Sequence, residues 1–309
     1  MTEEEKRKEL KAKLSPGYSG REGADFELRI DRIIGEFIDL IERKYVSSST
    51  DFRPVEFGHK MQYFALDMIS ELGWGDAVGF LKSDRDLYRY VEINEKVFPV
   101  ISVLLTVPWM DQYLKTWPLS LALPREGDEV GFGMLMSLAK KCVEKRLAPG
   151  AEEGDDMMQA YIRNGLSKEE LLSEVILELI AGSNSTSTAI RVILLCLLTT
   201  LTALQALCNE IDTFGADADV FQSERWLEAA AADDKDQYKE MVGTLELAFG
   251  HGKFQCPGKK IALMELNKVF VELLRRYDFA AVTPHAPMNL YDAAFWLISD
   301  YHLRVTRRP

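Results

Sequence analysis

The segment best suited to chemistry surrounds Cys256, in the sequence Phe-Gly-His-Gly-Lys-Phe-Gln-Cys-Pro-Gly at residues 249–258. This glycine-rich turn stands directly before a predicted amphipathic helix over residues 258–277. The start of a helix presents unpaired N–H groups and a partial positive charge, and both stabilise a thiolate. Glycines at 250, 252 and 258 allow unusual backbone angles and a close approach to a flat ligand, while Phe249 can exclude water from the sulfur. The pattern therefore predicts that Cys256 is a metal-binding thiolate.

A buried cysteine in a turn is the alternative, and a cysteine at a helix start, taken alone, favours it. The full spacing Phe-x-x-Gly-x-x-x-Cys-x-Gly before a helix is far more restrictive and favours the metal site. The other cysteines, Cys142, Cys196 and Cys208, lie among apolar helix-like residues and are predicted to be small buried hydrophobes. No pair of cysteines has the C-x-x-C spacing of a zinc site.

A second unusual segment is Ala-Gly-Ser-Asn-Ser-Thr-Ser-Thr at residues 181–188. It lies in the middle of the longest predicted helix, at about residues 168–208, which begins after the capping box Ser167-Lys-Glu-Glu170. Glycine and clustered Ser/Thr residues lower helix propensity and predict a kink at this point.

The elements that must position these segments are mostly helical. Apolar residues recur at helical spacing over 24–45, and further helices are predicted at 55–75, 88–116 and 130–147. A charged helix over residues 2–14 is expected to stop at Pro16-Gly17. Short strand-like pieces follow residue 279, so the predicted fold class is mainly α with minor β.

Composition and charge exclude several classes of protein. The 309 residues are 47% hydrophobic and 28% charged, which suits a globular core. A net charge of -12 argues against binding to a nucleic-acid backbone.

The N-terminus has no apolar core, so neither a signal peptide nor a transmembrane anchor is expected there. The apolar stretch 192–208 is short for a membrane span and is predicted to be the buried half of a soluble helix in an intracellular protein.

These motifs occur in the order found in the cytochrome P-450 monooxygenases. Residues 249–258 resemble the heme-binding loop of that family, and residues 181–186 resemble the Ala-Gly-x-Asp/Glu-Thr-Thr motif of its long central helix. Residues 215–226 resemble the loop that usually ends in Phe-x-Pro-Glu-Arg-Trp/Phe. Residues 14–20 and 41–45 are similar to a filamentous-fungal branch that includes pisatin demethylase-like enzymes. The resemblance implies a single cytochrome P-450-like domain over the whole chain, with an incomplete heme-thiolate fold.

The resemblance also implies heme b as the cofactor, with Cys256 as the axial ligand of its iron. The residues implied to bind the cofactor are Phe249, Gly252, Phe254, Cys256, Gly258 and Lys11. Phe254 stands where the family often has an Arg or His that reaches a heme propionate. Arg7 and Lys11 lie on the helix that usually lends basic residues to the propionates, although a charged helix of this kind can equally be a solvated face.

Three residues of the central helix, Asn184, Ser185 and Thr186, are implied to be catalytic. Asn184 replaces the usual acid, and because an amide does not titrate it is expected only to orient water. Ser185 and Thr186 are expected either to donate hydrogen bonds to bound dioxygen or to bond back to the preceding helical turn. Residues 180–183 and 295–297 are implied to face the substrate, an expectation that core packing explains equally well.

The implied reaction is that of an oxidoreductase which places one atom of dioxygen in an apolar small molecule, in fungal secondary metabolism or detoxification. The electrons would come from NADPH through a flavoprotein reductase. Lys253, Lys259 and Lys260 are either its docking site or merely solvated. Full-length relatives lie at the endoplasmic-reticulum membrane, and this chain is expected to be truncated at its N-terminus and to lack their anchor.

One family feature is missing from the expected place. A helix with Glu-x-x-Arg normally lies between the central helix and the Glu-Arg-Trp loop, but here Asp212 runs directly into Thr213. The matches to Glu-x-x-Arg, at residues 4–7 and 272–275, lie elsewhere. We therefore expect an internal deletion near Asp212–Thr213, which would leave Arg225 without its usual partners. The alternative function is that of a truncated heme-binding or non-functional product without turnover.

Overall fold

The computed structural model describes residues 3–20, 25–96, 99, 131–199, 248–292 and 296–308. Its helices are α1 (Glu3–Ser19), α2 (Phe26–Lys44), α3 (Phe57–Trp74), α4 (Phe80–Ser83), α5 (Gly131–Leu147), α6 (Met157–Arg163), α7 (Lys168–Thr199) and α8 (Lys259–Arg276). Residues 90–96 are also helical, and 3-10 turns lie at Leu87–Arg89 and Gly252–Phe254. The strands are β1 (Val55–Glu56), β2 (Tyr277–Ala281), β3 (Asn289–Asp292), β4 (Trp296–Ser299) and β5 (His302–Arg307). The predicted fold class, mainly α with minor β, is confirmed.

Helix α2 buries one face because its apolar residues recur every three or four positions. The residues that this spacing predicts to be buried are buried: Phe26, Ile30, Ile33, Ile34, Phe37, Ile38 and Ile41. Asp25 caps the helix by accepting a 3.2 Å hydrogen bond from the backbone N–H of Leu28. The predicted helix over residues 24–45 is therefore confirmed.

The long central helix is α7, and the predicted capping box begins it. The Ser167 hydroxyl accepts from the Glu170 N–H at 3.2 Å, and the Glu170 carboxylate accepts from the Ser167 N–H at 2.8 Å. Farther along, α7 packs on α3 so closely that a Cβ on Gly182 would lie 2.8 Å from Ile69 Cγ1. The predicted start of this helix is confirmed, whereas its predicted end over residues 200–208 lies outside the described residues.

Within the described ranges, α7 is the helix that is long and apolar enough to cross a membrane by length and composition. In its most apolar part, 44% of the residues are buried inside the fold. It contacts α3, α5, α6 and α8. These contacts are those of a core helix.

Helix α1 extends farther than the sequence predicts. It continues through Pro16 and ends at Ser19, so the predicted end at Pro16-Gly17 is wrong. A proline in the last turn removes one backbone donor, and packing against α6 holds the helix end in place. At this contact a Cβ on Gly17 would lie 2.4 Å from Tyr161 Cε1, which shows how closely the two helices approach.

The strands form two small antiparallel sheets, ordered β1-β5-β2 and β3-β4. Val55 pairs with Leu303, and Phe279 pairs with Val305. Phe57, at the start of α3, meets the ring of Tyr301 edge-on with the centroids 5.8 Å apart. This contact ties the end of the chain to the helical core. Strands β3, β4 and β5 confirm the strand-like pieces predicted after residue 279.

Candidate active site

One cavity brings together four parts of the chain that are distant in sequence. Its volume is about 540 Å³, within the range of small-molecule and cofactor sites, and its wall comprises α1, Ile69 of α3, the middle of α7, and the segment from residue 248 to the first turns of α8. The predicted site residues on this wall are Lys11, Ser185, Thr186, Phe249, Phe254, Cys256 and Gly258. The other two predicted site residues, Asn184 and Gly252, are not part of the wall.

Cys256 presents an exposed side chain to this cavity. Its backbone N–H donates to the carbonyl oxygen of Phe249 at 2.7 Å, which closes the intervening residues into a compact loop. Gly250 and Gly252 have φ angles of +72° and +59°, as the prediction of unusual backbone angles requires. A Cβ on Gly250 would also lie 2.5 Å from the carbonyl oxygen of Phe254. The loop therefore needs glycine at position 250 for both its angle and its space.

The helix after this loop is α8, and its bounds agree with the prediction to within one residue at each end. Gly258 is its N-cap and makes no capping hydrogen bond through a side chain, so the partial positive charge of the helix start lies beside Cys256. The prediction of an unusual angle at Gly258 is wrong, because its φ of -79° is open to any residue. A Cβ at this position would lie 3.9 Å from the Cys256 sulfur, an ordinary contact distance.

The basic residues of α1 hold the cysteine loop. The Lys11 ammonium donates to the carbonyl oxygens of Lys253 and Gln255, each at 3.3 Å. The Arg7 guanidinium lies 5.8 Å from the centroid of the Phe254 ring. Both cations also line the cavity, so α1 contributes positive charge to the wall that carries the thiol.

The two aromatic residues of the loop differ in burial. Phe249 is half-buried on the cavity wall, with the Lys259 ammonium 5.8 Å from the centroid of its ring. Phe254 is 68% exposed and lies between Arg7 and Lys253. The loop thus places one ring beside the cysteine and one at the cavity mouth, among cations.

Asn184 faces away from the cavity, contrary to the prediction that it orients water in the site. Its Oδ1 accepts from Gln62 Nε2 at 2.9 Å and from Asn94 Nδ2 at 3.0 Å, and the residue is 4% exposed. Gln62 also accepts from the Ser187 hydroxyl at 2.7 Å. Because α3 packs against this face of α7, the amide belongs to a helix–helix interface.

The two hydroxyl residues that follow have different surroundings. Ser185 Oγ donates to the carbonyl oxygen of Ala181 at 2.7 Å, which is the back-bonding alternative predicted for this segment. Thr186 is buried on the cavity wall, as is Glu265 on α8. The second hydroxyl therefore lies on a wall that the central helix shares with the helix that follows the cysteine.

Sequence reasoning misses the buried carboxyls of the cavity wall. Burial raises the pKa of Glu178 to about 8, against the opposing hydrogen bond from Tyr161. Burial likewise raises the pKa of Glu265 to about 8. Tyr18 donates a 2.7 Å hydrogen bond to Glu174, whose pKa burial also raises. The signal that marks the acid at 265 is that it stands between Ile261 and Val269 on the apolar face of α8.

The other cysteines, Arg225 and the segments implied to face a substrate were also predicted from the sequence. Cys142 is half-buried, but Cys196 is exposed, so its prediction as a buried hydrophobe is wrong. Cys208, Arg225 and Phe295 lie outside the described residues. Of the segments implied to face a substrate, Ala181 and Gly182 do line the cavity.

One thiol on a cavity wall is too few protein ligands to hold a metal ion. Zinc sites use three or four protein ligands, and the described residues contain no cluster of three or more His, Cys, Asp or Glu that could hold a metal ion. A metal at Cys256 must therefore bring its other ligands with it, as iron does in heme, to which a protein adds an axial thiolate. The cavity volume, the exposed thiol and the nearby cations, Arg7 and Lys11, fit such a group.

Comparison with known proteins agrees with this fit. A family model described as Cytochrome P450 matches residues 1–220 and 212–299. The chain belongs to the cytochrome P450 family. Its fold resembles the crystal structure of the cytochrome P450DA heme domain, with a TM-score of 0.68 and 15% identity over 96% of this chain and 76% of that chain.

The relatives in sequence are fungal cytochrome P450 monooxygenases. ABA1 of Pyricularia oryzae is 32% identical over 379 residues, which cover 97% of this chain and 73% of the relative. The aba1 protein of Botryotinia fuckeliana is 28% identical over 374 residues, which cover 96% of this chain and 73% of the relative. The predicted similarity to fungal members of the family is confirmed.

The alignment also marks a gap inside the chain. It spans 379 positions with ABA1, 70 more than the 309 residues of this chain, so ABA1 contains at least 70 residues that have no counterpart here. The two stretches that match the family model meet at residues 212–220. This meeting point includes the junction at Asp212–Thr213 where the sequence predicts a deletion.

Proposed function

We propose that this chain is a heme-thiolate monooxygenase, which inserts one atom of dioxygen into a C–H bond of an apolar small molecule in fungal secondary metabolism. The observation that carries the proposal is the exposed Cys256 thiol, on the wall of a cavity of about 540 Å³ and beside the uncapped start of α8. Membership of the cytochrome P450 family supports the same chemistry.

Heme b, when bound, supplies the activation of dioxygen, with electrons from NADPH delivered through a flavoprotein reductase. Cys256 would hold the heme iron through its sulfur, and it lies beside the N-terminus of α8. Lys11 holds the loop through the carbonyl oxygens of Lys253 and Gln255. Arg7 and Lys11 line the cavity and would supply positive charge to the heme propionates.

The middle of α7 forms another wall of the cavity, which would face the substrate. Ala181 and Gly182 make this wall small and apolar, and the close contact of Gly182 with Ile69 fixes its distance from α3. An apolar substrate gains free energy by leaving water here. Ser185 and Thr186 add the hydroxyl groups of this wall.

The reductase is proposed to dock at the surface around the cysteine loop. Lys253 is 58% exposed there, in an ion pair of 3.0 Å with Glu4, and Lys260 is exposed at the start of α8. Such surface cations steer an acidic partner mainly through the association rate. Reduction by the reductase should accordingly slow as salt is added.

The test is the Soret spectrum of the purified, heme-loaded chain after reduction and addition of carbon monoxide. A thiolate ligand gives a red-shifted band, which should be absent from Cys256→Ala. The matched control is Cys196→Ala, which removes another exposed thiol and should keep the band. A band at the position typical of a neutral ligand in the unmutated chain would overturn the proposal.

A second candidate function is heme binding without turnover. Two observations favour it: at least 70 residues of ABA1 have no counterpart in this chain, and the family match splits in two at residues 212–220. Under this function the red-shifted band appears, but NADPH and reductase yield no oxidised product. The origin of the missing residues is tested by translating the genomic sequence between the codons for Asp212 and Thr213. If that sequence encodes a Glu-x-x-Arg helix, the natural protein contains the segment that this chain lacks.

A further inference from the structure

We propose that His59, in the first turn of α3, forms a pH-dependent link between Glu56 and Glu95. Glu56 is the last residue of β1 and the N-cap of α3, whereas Glu95 belongs to the short helix over residues 90–96. The link holds that helix against the start of α3 while the imidazole is charged. The inference goes beyond the proposed monooxygenase function, because neither heme nor substrate takes part in it.

The two ring nitrogens of His59 lie beside carboxylates from different parts of the fold. Nδ1 lies 3.3 Å from Glu56 Oε2, and Nε2 lies 3.3 Å from Glu95 Oε1. A neutral imidazole carries one N–H, so it donates to one carboxylate and turns a lone pair toward the other. A charged imidazole donates to both. The arrangement of the two carboxylates therefore favours the charged ring.

The Glu56 end of the link is fixed by the backbone. The Glu56 carboxylate caps α3 by accepting from the backbone N–H of His59, and its Oε1 also accepts from the backbone N–H of Tyr301 at 3.1 Å. Glu95 depends more on the imidazole: among the described residues, its ion pair is the one with His59. Loss of the ring proton therefore leaves Glu56 in place and weakens the hold on Glu95.

The charged groups around His59 set the pH range of the link. The hydrogen bond to Glu95 raises the pKa of His59 above its ordinary value of 6.5, and the charges of Glu56 and Glu95 add to this rise. Burial of the ring and the charge of Arg191, a buried residue of α7, oppose the rise in pKa. From β5, His302 stands opposite Glu56 in the strand register.

The direction of the pH dependence follows from the raised pKa of His59. The link is complete below about pH 6.5 and is lost as the pH rises through the folded pKa. The helix over residues 90–96 keeps other contacts at high pH, because Tyr90 and Val91 are buried in the core and Asn94 Nδ2 donates to Asn184 Oδ1 at 3.0 Å. Loss of the link therefore loosens the end of this helix at Glu95 without unfolding the rest.

The charge of the ring is measured by NMR titration of the histidine ring protons in the purified full chain. His59→Gln assigns the His59 signal among those of the four histidines. We expect the pKa of His59 to lie above 6.5 and to fall in Glu95→Gln. The control is Glu92→Gln on the same helix, because Glu92 pairs with Arg89 and Lys96 and should leave the titration of His59 unchanged. A pKa of His59 that does not respond to Glu95→Gln would overturn the link.

The hold on the helix is measured by hydrogen exchange of the backbone amides at residues 90–96, with each rate corrected for the intrinsic effect of pH. In the unmutated chain, protection should decrease about two- to fivefold as the pH rises through the pKa of His59, the size expected for a partly exposed ion pair. Glu95→Gln should show the lower protection at every pH, and Glu92→Gln should keep the decrease. Protection that is independent of pH in the unmutated chain, or a decrease that persists in Glu95→Gln, would refute the proposal.

Discussion

The backbone N–H of Cys256 donates a 2.7 Å hydrogen bond to the carbonyl oxygen of Phe249. This bond joins the two ends of the loop that presents the thiol to the cavity. Between these ends, Gly250 and Gly252 both adopt positive φ angles. The direction of the thiol therefore depends on backbone geometry that few residue types permit.

Gly250→Ala should disrupt the loop and weaken heme retention strongly. The positive φ alone costs an alanine about 1–2 kcal/mol, and the new Cβ would lie 2.5 Å from the Phe254 carbonyl oxygen, so the backbone must also move. The rate of heme loss measures the effect. The control is Gly252→Ala, which has a positive φ but no atom within 4 Å of its Cβ. Equal rates of heme loss in the two variants would refute the steric part of the argument.

Lys11→Met should weaken the hold of α1 on the cysteine loop. The ammonium donates to two loop carbonyl oxygens, at 3.3 Å each, and a hydrogen bond of this kind contributes about 0.5–1.5 kcal/mol. We expect heme affinity to fall by about tenfold, as measured by heme titration. Lys13→Met is the control, because Lys13 pairs with Glu9 on its own helix. A wild-type affinity in Lys11→Met would show that the loop keeps its shape without these bonds.

Gly182→Ala should destabilise the contact between α3 and α7. The added Cβ would lie 2.8 Å from Ile69 Cγ1, and overpacking of this kind costs about 1–3 kcal/mol. Ile69→Val in the same chain should recover part of the loss, which a double-mutant cycle by chemical unfolding would measure. Gly35→Ala, with no atom within 4 Å of its Cβ and an exposed position in α2, should instead be neutral or stabilising.

Stability should fall as the pH rises from about 4.5 to about 8. Burial raises the pKa of Glu178 from 4.5 to about 8, so the folded state binds a proton across this range that the unfolded state has released. The stabilisation is complete below the unfolded pKa and is lost as the pH rises through the folded pKa. Melting temperatures measured between about pH 4.5 and about pH 8 check this prediction. The melting temperature should decrease less with pH in Glu178→Gln than in the unmutated chain.

The control for this pH dependence is Glu92→Gln. Hydrogen bonds from Arg89 and Lys96 lower the pKa of Glu92 to about 2, so its contribution changes only below the unfolded value of 4.5. Its slope between about 4.5 and about 8 should match that of the unmutated chain. A slope of Glu178→Gln that matches this control would contradict the assignment to Glu178.

The sequence by itself determines the features that depend on neighbouring residues. The capping box at Ser167 and Glu170 and the buried face of α2 follow from local spacing, and both are observed. The same holds for Cys256, whose loop and following helix are contiguous in the chain. Each of these features is set by backbone angles and periodicity within a few residues.

Tertiary structure alone decides which way the central residues face. Asn184 turns to Gln62 because α3 packs against that side of α7, and Thr186 and Glu265 line one cavity because α8 contacts the same helix. The continuation of α1 through Pro16 likewise accompanies its close contact with α6 at Gly17. These outcomes depend on contacts between residues far apart in the chain, and the free energy of such packing outweighs the local preferences that a sequence displays.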